Sequence, residues 1–250
     1  MSQHHQAEGP EPTRRRVAGL ADVERTLGSD DVRCLVLPEA AITDAARALA
    51  ERAAEASIPV HRVARRRFER MQGADREAEI LALVGPDPRA ALPVVMARGG
   101  VVWLLFGIAY PGNAGFAIRT AEVSGADGLY IDNDFDHAGR REATRASMRA
   151  DRFMPVGWES AESVFEAARG AGKRIVGIED VGTAPPWRID LTGPLLLVVG
   201  AEAEGVPRTL LDACDAVTRL PMAGFIASYN LQTAVASVAM ERFRQLEESS

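Results

Sequence analysis

The stretch Leu195-Leu-Leu-Val-Val-Gly-Ala-Glu-Ala-Glu-Gly205, continued by Val206 to Leu220 and then Pro221-Met-Ala-Gly-Phe-Ile-Ala-Ser-Tyr-Asn230, decides how this chain is read. It opens on an unbroken apolar run, Leu195 to Val199, of the kind found in strands buried on both faces. The run breaks into a Gly-Glu loop, Gly200 to Gly205. A short helix is expected from Pro207 to Ala213, with the proline near its first turn. A second apolar segment, Ala216 to Leu220, feeds a second loop, Pro221 to Asn230, and an Ala-rich helix follows from Leu231 to Leu246. Each loop follows an apolar segment. In an open α/β sheet such loops lie outside the carboxyl ends of the strands, where ligands bind.

The first loop has look-alikes. Gly200 and Gly205 have the spacing of a phosphate loop, but Val206 and Pro207 stand where Lys and Ser/Thr are required. The G-x-G-x-x-G dinucleotide fingerprint is absent as well. Taken alone, the loop reads as a strand-to-helix turn with solvated carboxylates.

The two loops together carry more. A G-x-E-x-x-G element, then Leu220-Pro-Met222-x-Gly224, then Ser228-x-Asn230 opening a small-residue helix, resembles the C-terminal motifs of the SpoU/TrmH family of RNA ribose 2'-O-methyltransferases, within the SPOUT superfamily. Upstream, Tyr110-Pro-Gly-Asn113-Ala-Gly-Phe-Ala-Ile-Arg119-Thr-Ala-Glu-Val-Ser-Gly125 is similar to that family's first motif, P-x-N-x-G-x-x-x-R-T-A-x-x-x-G. The three motifs stand in family order between Val101 and Gln245.

The resemblance implies a fold and a set of roles. The C-terminal domain would be a mostly parallel α/β sheet whose end threads a loop to make a deep trefoil knot, with S-adenosylmethionine bound in the knot and a homodimer formed through it. Catalytic roles fall on Arg119, Asn113, Glu202, Ser228 and Asn230. The cofactor positions are Val199, Gly200, Ala201, Glu202, Leu220, Met222, Ser228 and Tyr229. The chain departs from the pattern at Tyr229, where the family usually has Leu; if the side chain packs on the adenine, the pocket is altered. Each residue also has a structural reading. Arg119 could be a helix-borne ion pair, Asn113 an Asx-turn residue, and Ser228 and Asn230 N-caps of the last helix. Capping and catalysis are compatible.

Ribose methylation needs a methyl sulfonium held in line with a 2'-hydroxyl that loses its proton as it attacks. A guanidinium is a poor base, so stabilising the developing alkoxide is the sounder assignment for Arg119. No metal is required. His4, His5, His61 and His137 fall in a tail, a domain edge and a loop, and no ligand cluster or Ser-His-Asp set is legible. The acidic run Asp132-Asn-Asp-Phe-Asp136 lacks the glycine and distal glutamate of a calcium loop.

The remaining residues, 1–92, read as an arm and a second domain. Residues 1–16 are polar and expected to be a flexible arm. From residue 17 to 92, linker included, a small α/β domain is expected: a helix over Leu20–Leu27, a strand over Val32–Leu37, a Thr43-capped helix over Asp44–Ala56, a strand at Ile58–Val60, a helix over Val63–Gln72 and a strand over Ile80–Val84. Gly85 to Pro93, with three prolines, reads as the linker. The order of elements loosely resembles the ribosomal-protein-like RNA-binding domain of many SpoU enzymes. Residues 93–250 form the catalytic domain. Its further elements include an arginine-rich helix over Thr144–Arg152, a strand over Phe153–Val156 and an amphipathic helix over Ser160–Gly170, with Ala161, Val164, Phe165 and Ala168 on one face.

Composition is that of an ordinary globular protein of 250 residues, with no apolar run of membrane-spanning length. Two cysteines, Cys34 and Cys214, make no disulfide framework, so a reduced, cytoplasmic setting is expected. The formal net charge of −6 runs against a dedicated RNA-binding protein. Local potential is what phosphates feel, however, and two arginine groups stand out: Arg62, Arg65, Arg66, Arg67 and Arg70, and Arg140, Arg141, Arg145, Arg149 and Arg152. Of these, Arg62, Arg65, Arg66, Arg67, Arg145 and Arg149 are the candidate RNA contacts, with solvated faces as the plain alternative.

The expected activity is therefore S-adenosylmethionine-dependent 2'-O-methylation of a ribose in RNA. Ribosomal RNA is favoured, because two-domain family members often act there and some confer self-resistance to ribosome-targeting antibiotics; transfer RNA is the second substrate. The competing reading is a catalytically silent knotted RNA-binding or ribosome-assembly factor, motivated by the net charge and Tyr229. A methyltransferase for a small molecule or protein comes third.

Overall fold

The computed structural model describes residues 14–28, 32–40, 42–201, 205–225 and 228–249. The chain divides between Asp87 and Pro88 into two compact units.

In the N-terminal unit the elements are β1 (Arg15–Ala18), α1 (Leu20–Thr26), β2 (Val32–Pro38), α2 (Asp44–Glu55), β3 (Val60–Val63), α3 (Arg65–Gln72) and β4 (Leu81–Val84). The strand order is β1-β4-β2-β3, with β2 and β3 parallel and the other pairs antiparallel. Thr43 caps α2, its hydroxyl oxygen accepting from the Ala46 N–H at 3.3 Å. Val23, Leu35, Leu37, Ala46, Ala53, Ile80 and Ala82 are all fully enclosed between sheet and helices. Of the flexible arm expected over residues 1–16, residues 1–13 lie outside the described residues, and the end of it is strand. Arg15 and Arg16 belong to β1, paired to Val84 and Leu83, and Arg16 forms an ion pair with Asp75 at 2.6 Å.

The C-terminal unit holds α4 (Leu92–Met96), β5 (Val101–Phe106), α5 (Pro111–Val123), β6 (Gly128–Asp132), α6 (His137–Ala146), β7 (Val156–Trp158), α7 (Ala161–Gly170), β8 (Arg174–Ile178), β9 (Leu195–Gly200), α8 (Arg208–Asp212), β10 (Ala216–Thr218) and α9 (Leu231–Glu248). Its six strands run in the order β10-β8-β9-β5-β6-β7, and every pair is parallel. Alternate residues of the central strands serve opposite faces. Val101, Trp103, Leu105, Leu195, Leu197 and Val199 pack with α5 and α9. Val102, Leu104, Leu196 and Val198 pack with α4, α7 and α8. Burial on both faces is why these strands read as continuous apolar runs. On α7, Ala161, Val164, Phe165 and Ala168 are the buried residues, as their spacing predicts.

Four expectations change. The helix begun at Leu92 takes up the end of the supposed linker. The arginine-rich helix expected from Thr144 starts earlier, at His137, because Asp136 at the end of the acidic loop caps it, accepting from the Gly139 N–H at 2.8 Å. The arginine-rich helix expected to reach Arg152 stops at Ala146, because Met148 and Arg149 turn left-handed (φ 57° and 66°), and a 3₁₀ turn covers Ala150–Arg152. The following strand is correspondingly later, Val156–Trp158. Among the described residues no helix is long and apolar enough to cross a membrane.

Candidate active site

The carboxyl ends of β8 and β9 and the chain after β10 enclose a cleft of about 310 Å³. Ile178, Glu179 and Asp180 contribute from the end of β8, and Val199, Gly200 and Ala201 from the end of β9. Gly205 closes the first loop, and Arg219, Leu220 and Met222 follow β10. Ser228 and Tyr229, with Leu231 and Ala234 from the start of α9, complete the wall. Its size is at the lower end of the range for small-molecule sites.

The first loop is built on glycines for steric reasons. A Cβ on Gly200 would lie 2.3 Å from the Gly205 carbonyl carbon and 2.4 Å from the Val206 nitrogen, so the loop returns against its own start. The Gly205 N–H donates to the Ala201 carbonyl at 2.9 Å, and Gly205 is left-handed at φ 64°. A Cβ on Gly205 would sit 2.8 Å from Oε1 of Glu179. That oxygen accepts the Val206 N–H at 2.6 Å. Burial pushes the Glu179 carboxyl up from the usual carboxylate range, opposed by hydrogen bonds from the Val206 and Asp180 backbones.

The second loop is tied differently. The Tyr229 hydroxyl donates to the Pro221 carbonyl at 2.9 Å, spanning the loop's two ends. Asn230 caps α9, its side chain accepting the Gln232 N–H at 3.0 Å. Beneath the cleft, the chain leaving β8 runs hard against the chain leaving β10. The Glu179 N–H donates to the Thr218 carbonyl and the Arg219 N–H to that of Ala184, both at 2.9 Å. A Cβ on Gly182 would meet the Thr218 carbonyl carbon at 2.5 Å.

Seven of the sequence-derived cofactor positions thus line one cleft: Val199, Gly200, Ala201, Leu220, Met222, Ser228 and Tyr229. The eighth, Glu202, lies outside the described residues. Of the candidate catalytic residues, Ser228 is on the cleft wall, whereas Asn113, Arg119 and Asn230 are not among its lining. Asn113 is in the first turn of α5, and Arg119 lies further along it, exposed, with no ion-pair partner among the described residues. Gly115 lets α5 approach α6: its Cβ would be 2.5 Å from both the Ala143 carbonyl oxygen and the Ala146 Cβ. Glu179, Asp180 and Arg219 are the charged cleft residues that sequence reading missed. Glu179 follows the β8 apolar run directly, and that position alone was a usable signal.

The arginine groups differ in how far their guanidinium groups are engaged. Arg62, Arg66, Arg67 and Arg70 are exposed without ion pairs among the described residues, while Arg65 pairs with Glu69 at 2.9 Å. Arg140 is occupied, donating to the Phe135 carbonyl at 3.1 Å and stacking 5.1 Å from the Trp158 ring centre. Arg145 and Arg149 are exposed and unpaired among the described residues. Among the described residues no group of three or more His, Cys, Asp or Glu could hold a metal ion.

Residues 100–240 match the model of the SpoU rRNA Methylase family. The 23S rRNA (guanosine-2'-O-)-methyltransferase RlmB of Pseudomonas aeruginosa is 28% identical over 239 residues, covering 92% of this chain and 96% of its own. RlmB of Photobacterium profundum is 32% identical over 143 residues, 57% of this chain; the chain spans only 58% of that relative's length. The crystal structure of the SpoU methyltransferase AviRb from Streptomyces viridochromogenes superposes with a TM-score of 0.58 at 25% identity, over 95% of this chain and 91% of that one. AviRb has also been solved in complex with the cofactor AdoMet.

Proposed function

Because the chain belongs to the SpoU rRNA Methylase family, we propose that it is an S-adenosylmethionine-dependent RNA ribose 2'-O-methyltransferase acting on ribosomal RNA. The observation that carries this reading is the convergence of three separate segments, Val199–Ala201, Leu220–Met222 and Ser228–Tyr229, on one cleft at the carboxyl ends of the strands. The RlmB relatives favour ribosomal over transfer RNA.

The cleft suits the cofactor's chemistry. Ile178, Val199, Leu220 and Leu231 offer apolar walls to a base, while Asp180 and Arg219 offer opposite charges to an amino-acid tail. When bound, the cofactor supplies an electrophilic methyl group. The protein's own work is to orient the ribose and stabilise the 2'-oxygen as its proton leaves. Arg119 is the residue for the second task, since it carries an uncommitted guanidinium. Ser228, Asn113, Asn230 and Glu202 hold the loops and substrate about it.

A trefoil knot is part of this reading. Its support is the strand order, in which β9 is inserted between β8 and β5, together with the close passage of Gly182 against Thr218 before α9 returns to pack on α5. A homodimer is part of it too. Phe116 and Val123 on α5 and Met240 on α9 are large, apolar and exposed. Arg119 shares the Phe116–Val123 stripe, so a second copy covering that stripe would enclose Arg119. The N-terminal unit, with Arg62, Arg65, Arg66 and Arg67, and the α6 end, with Arg145 and Arg149, are assigned to RNA phosphates.

The test is methyl transfer from labelled S-adenosylmethionine to ribosomal and transfer RNA by the parent and by Arg119→Ala. The reading expects transfer to ribosomal RNA and a loss of about 100-fold or more in the variant, the scale of removing a donor from a developing anion. Equal rates for parent and variant would end the role of Arg119. Cofactor binding without transfer to any RNA would favour the silent RNA-binding factor.

A further inference from the structure

Glu179 is the one half-buried carboxylate on the described wall of the cleft, and nothing in the motifs calls for it. Its position is fixed. Oε1 accepts the Val206 N–H at 2.6 Å, and the glycine at 205 leaves room for that oxygen. The carboxylate therefore joins the end of β8 to the far end of the loop after β9. Its exposed neighbour Asp180 adds a second negative charge, better screened by solvent. Arg219 is the cation on the same wall, and it too is exposed.

A buried charge is retained at a loss of hydration, which a neutral acceptor for the Val206 N–H would avoid. A charge is useful where a ligand's charge changes during the reaction. Methyl transfer breaks the sulfonium S–CH₃ bond and forms the ribose O–CH₃ bond. The sulfur becomes a neutral thioether, and the hydroxyl proton is released. Substrate cofactor and spent cofactor thus differ by one positive charge and one methyl group.

Resting on the cofactor reading above, we propose that Glu179 is a specificity-determining residue that makes the cleft prefer the sulfonium form of the cofactor over the demethylated thioether, and so favours exchange of spent for fresh cofactor. Its hydrogen bond to Val206 is the separate, positioning part of its role.

The two parts come apart in two variants of the full chain. Glu179→Gln keeps an oxygen for the Val206 N–H and removes the charge; Glu179→Ala removes both. Calorimetric titration with S-adenosylmethionine, S-adenosylhomocysteine and sinefungin, in which an amine-bearing carbon replaces the sulfonium, measures the preference without any turnover. In Glu179→Gln the affinity for the two cationic ligands should fall by about tenfold, and that for S-adenosylhomocysteine by less than about twofold, the scale of one partly screened charge pair. Glu179→Ala should weaken all three. Equal weakening of all three ligands in Glu179→Gln would overturn the charge preference and leave a purely structural residue, and unchanged affinities would overturn it also. Binding of none of them by the folded parent would instead overturn the cofactor reading, and this proposal with it.

Discussion

The Tyr229 hydroxyl donates to the Pro221 carbonyl at 2.9 Å, so the residue that departs from the family's usual leucine spans the ends of the loop it closes. The ring contributes to the cleft wall while the hydroxyl holds Pro221, a job leucine cannot do. Tyr229→Phe keeps the ring and loses the tie. Because the group is partly exposed, the loss should be near the low end for a hydrogen bond, about 0.5 kcal/mol, or two- to threefold in cofactor affinity. Titration with S-adenosylmethionine checks it; an unchanged affinity would mean that Pro221 is held without Tyr229.

Gly200 makes a harder demand. An added Cβ would collide with backbone, Gly205 and Val206, which no rotamer change relieves. Gly200→Ala should either displace the loop or destabilise the unit by about 1–3 kcal/mol, the usual range for forced overpacking. In both cases cofactor affinity should drop by about tenfold or more, a shift of about 1.4 kcal/mol. Gly224→Ala is the control, since a Cβ there meets nothing within 4 Å. Thermal melts and titrations of the pair separate the loop's geometry from a general sensitivity of glycines.

Arg149 holds a left-handed backbone at φ 66° although it is not glycine, at an exposed site after α6. Such a conformation costs a side-chain-bearing residue about 1 kcal/mol. Arg149→Gly should therefore stabilise the protein by about that amount, raising the melting temperature by about 2–4 °C. On the RNA-binding reading the same variant should bind RNA more weakly and lower the salt dependence by about one phosphate contact. Filter binding across a salt series checks the second half; a stabilised protein with unaltered RNA affinity would leave Arg149 a strained turn and nothing more.

What the sequence disclosed and what it hid differ by range of interaction. Leu195 to Val199 and Val101 to Phe106 are buried on both faces, so their apolar runs were unmistakable, and the Ala161-Val164-Phe165-Ala168 face followed from its period. The cleft-lining residues Val199 to Ala201, Leu220, Met222, Ser228 and Tyr229 were legible as candidates because short motifs carry them. Glu179 was not, because its partner Val206 lies 27 residues away and a strand-end glutamate looks solvated. The end of α6 was missed for a similar reason. Thr144 to Arg152 has ordinary helix formers, but the chain turns at Met148 and Arg149. Arg15 and Arg16 looked like tail because their pairing partners on β4 are nearly seventy residues on.

The last expectation concerns pH. Burial raises the Glu179 carboxyl above the ordinary glutamate value in the folded protein. A carboxyl whose folded pKa lies above its unfolded one stabilises the fold fully below the unfolded value, and that contribution is lost as pH rises through the folded value. At neutral pH the parent thus carries a destabilising buried charge that Glu179→Gln removes, while the amide oxygen still accepts from Val206. The variant should melt higher than the parent at pH 7. The gap should close as pH falls through the glutamate range and Glu179 takes up its proton. Melting temperatures of both proteins between pH 4 and pH 8 test this. A constant gap would place its origin elsewhere than in the charge, and a variant less stable at pH 7 would mean that the Val206 and Asp180 N–H groups outweigh the burial. A more stable variant that also binds the sulfonium less well would show one residue held against stability for the sake of its ligand.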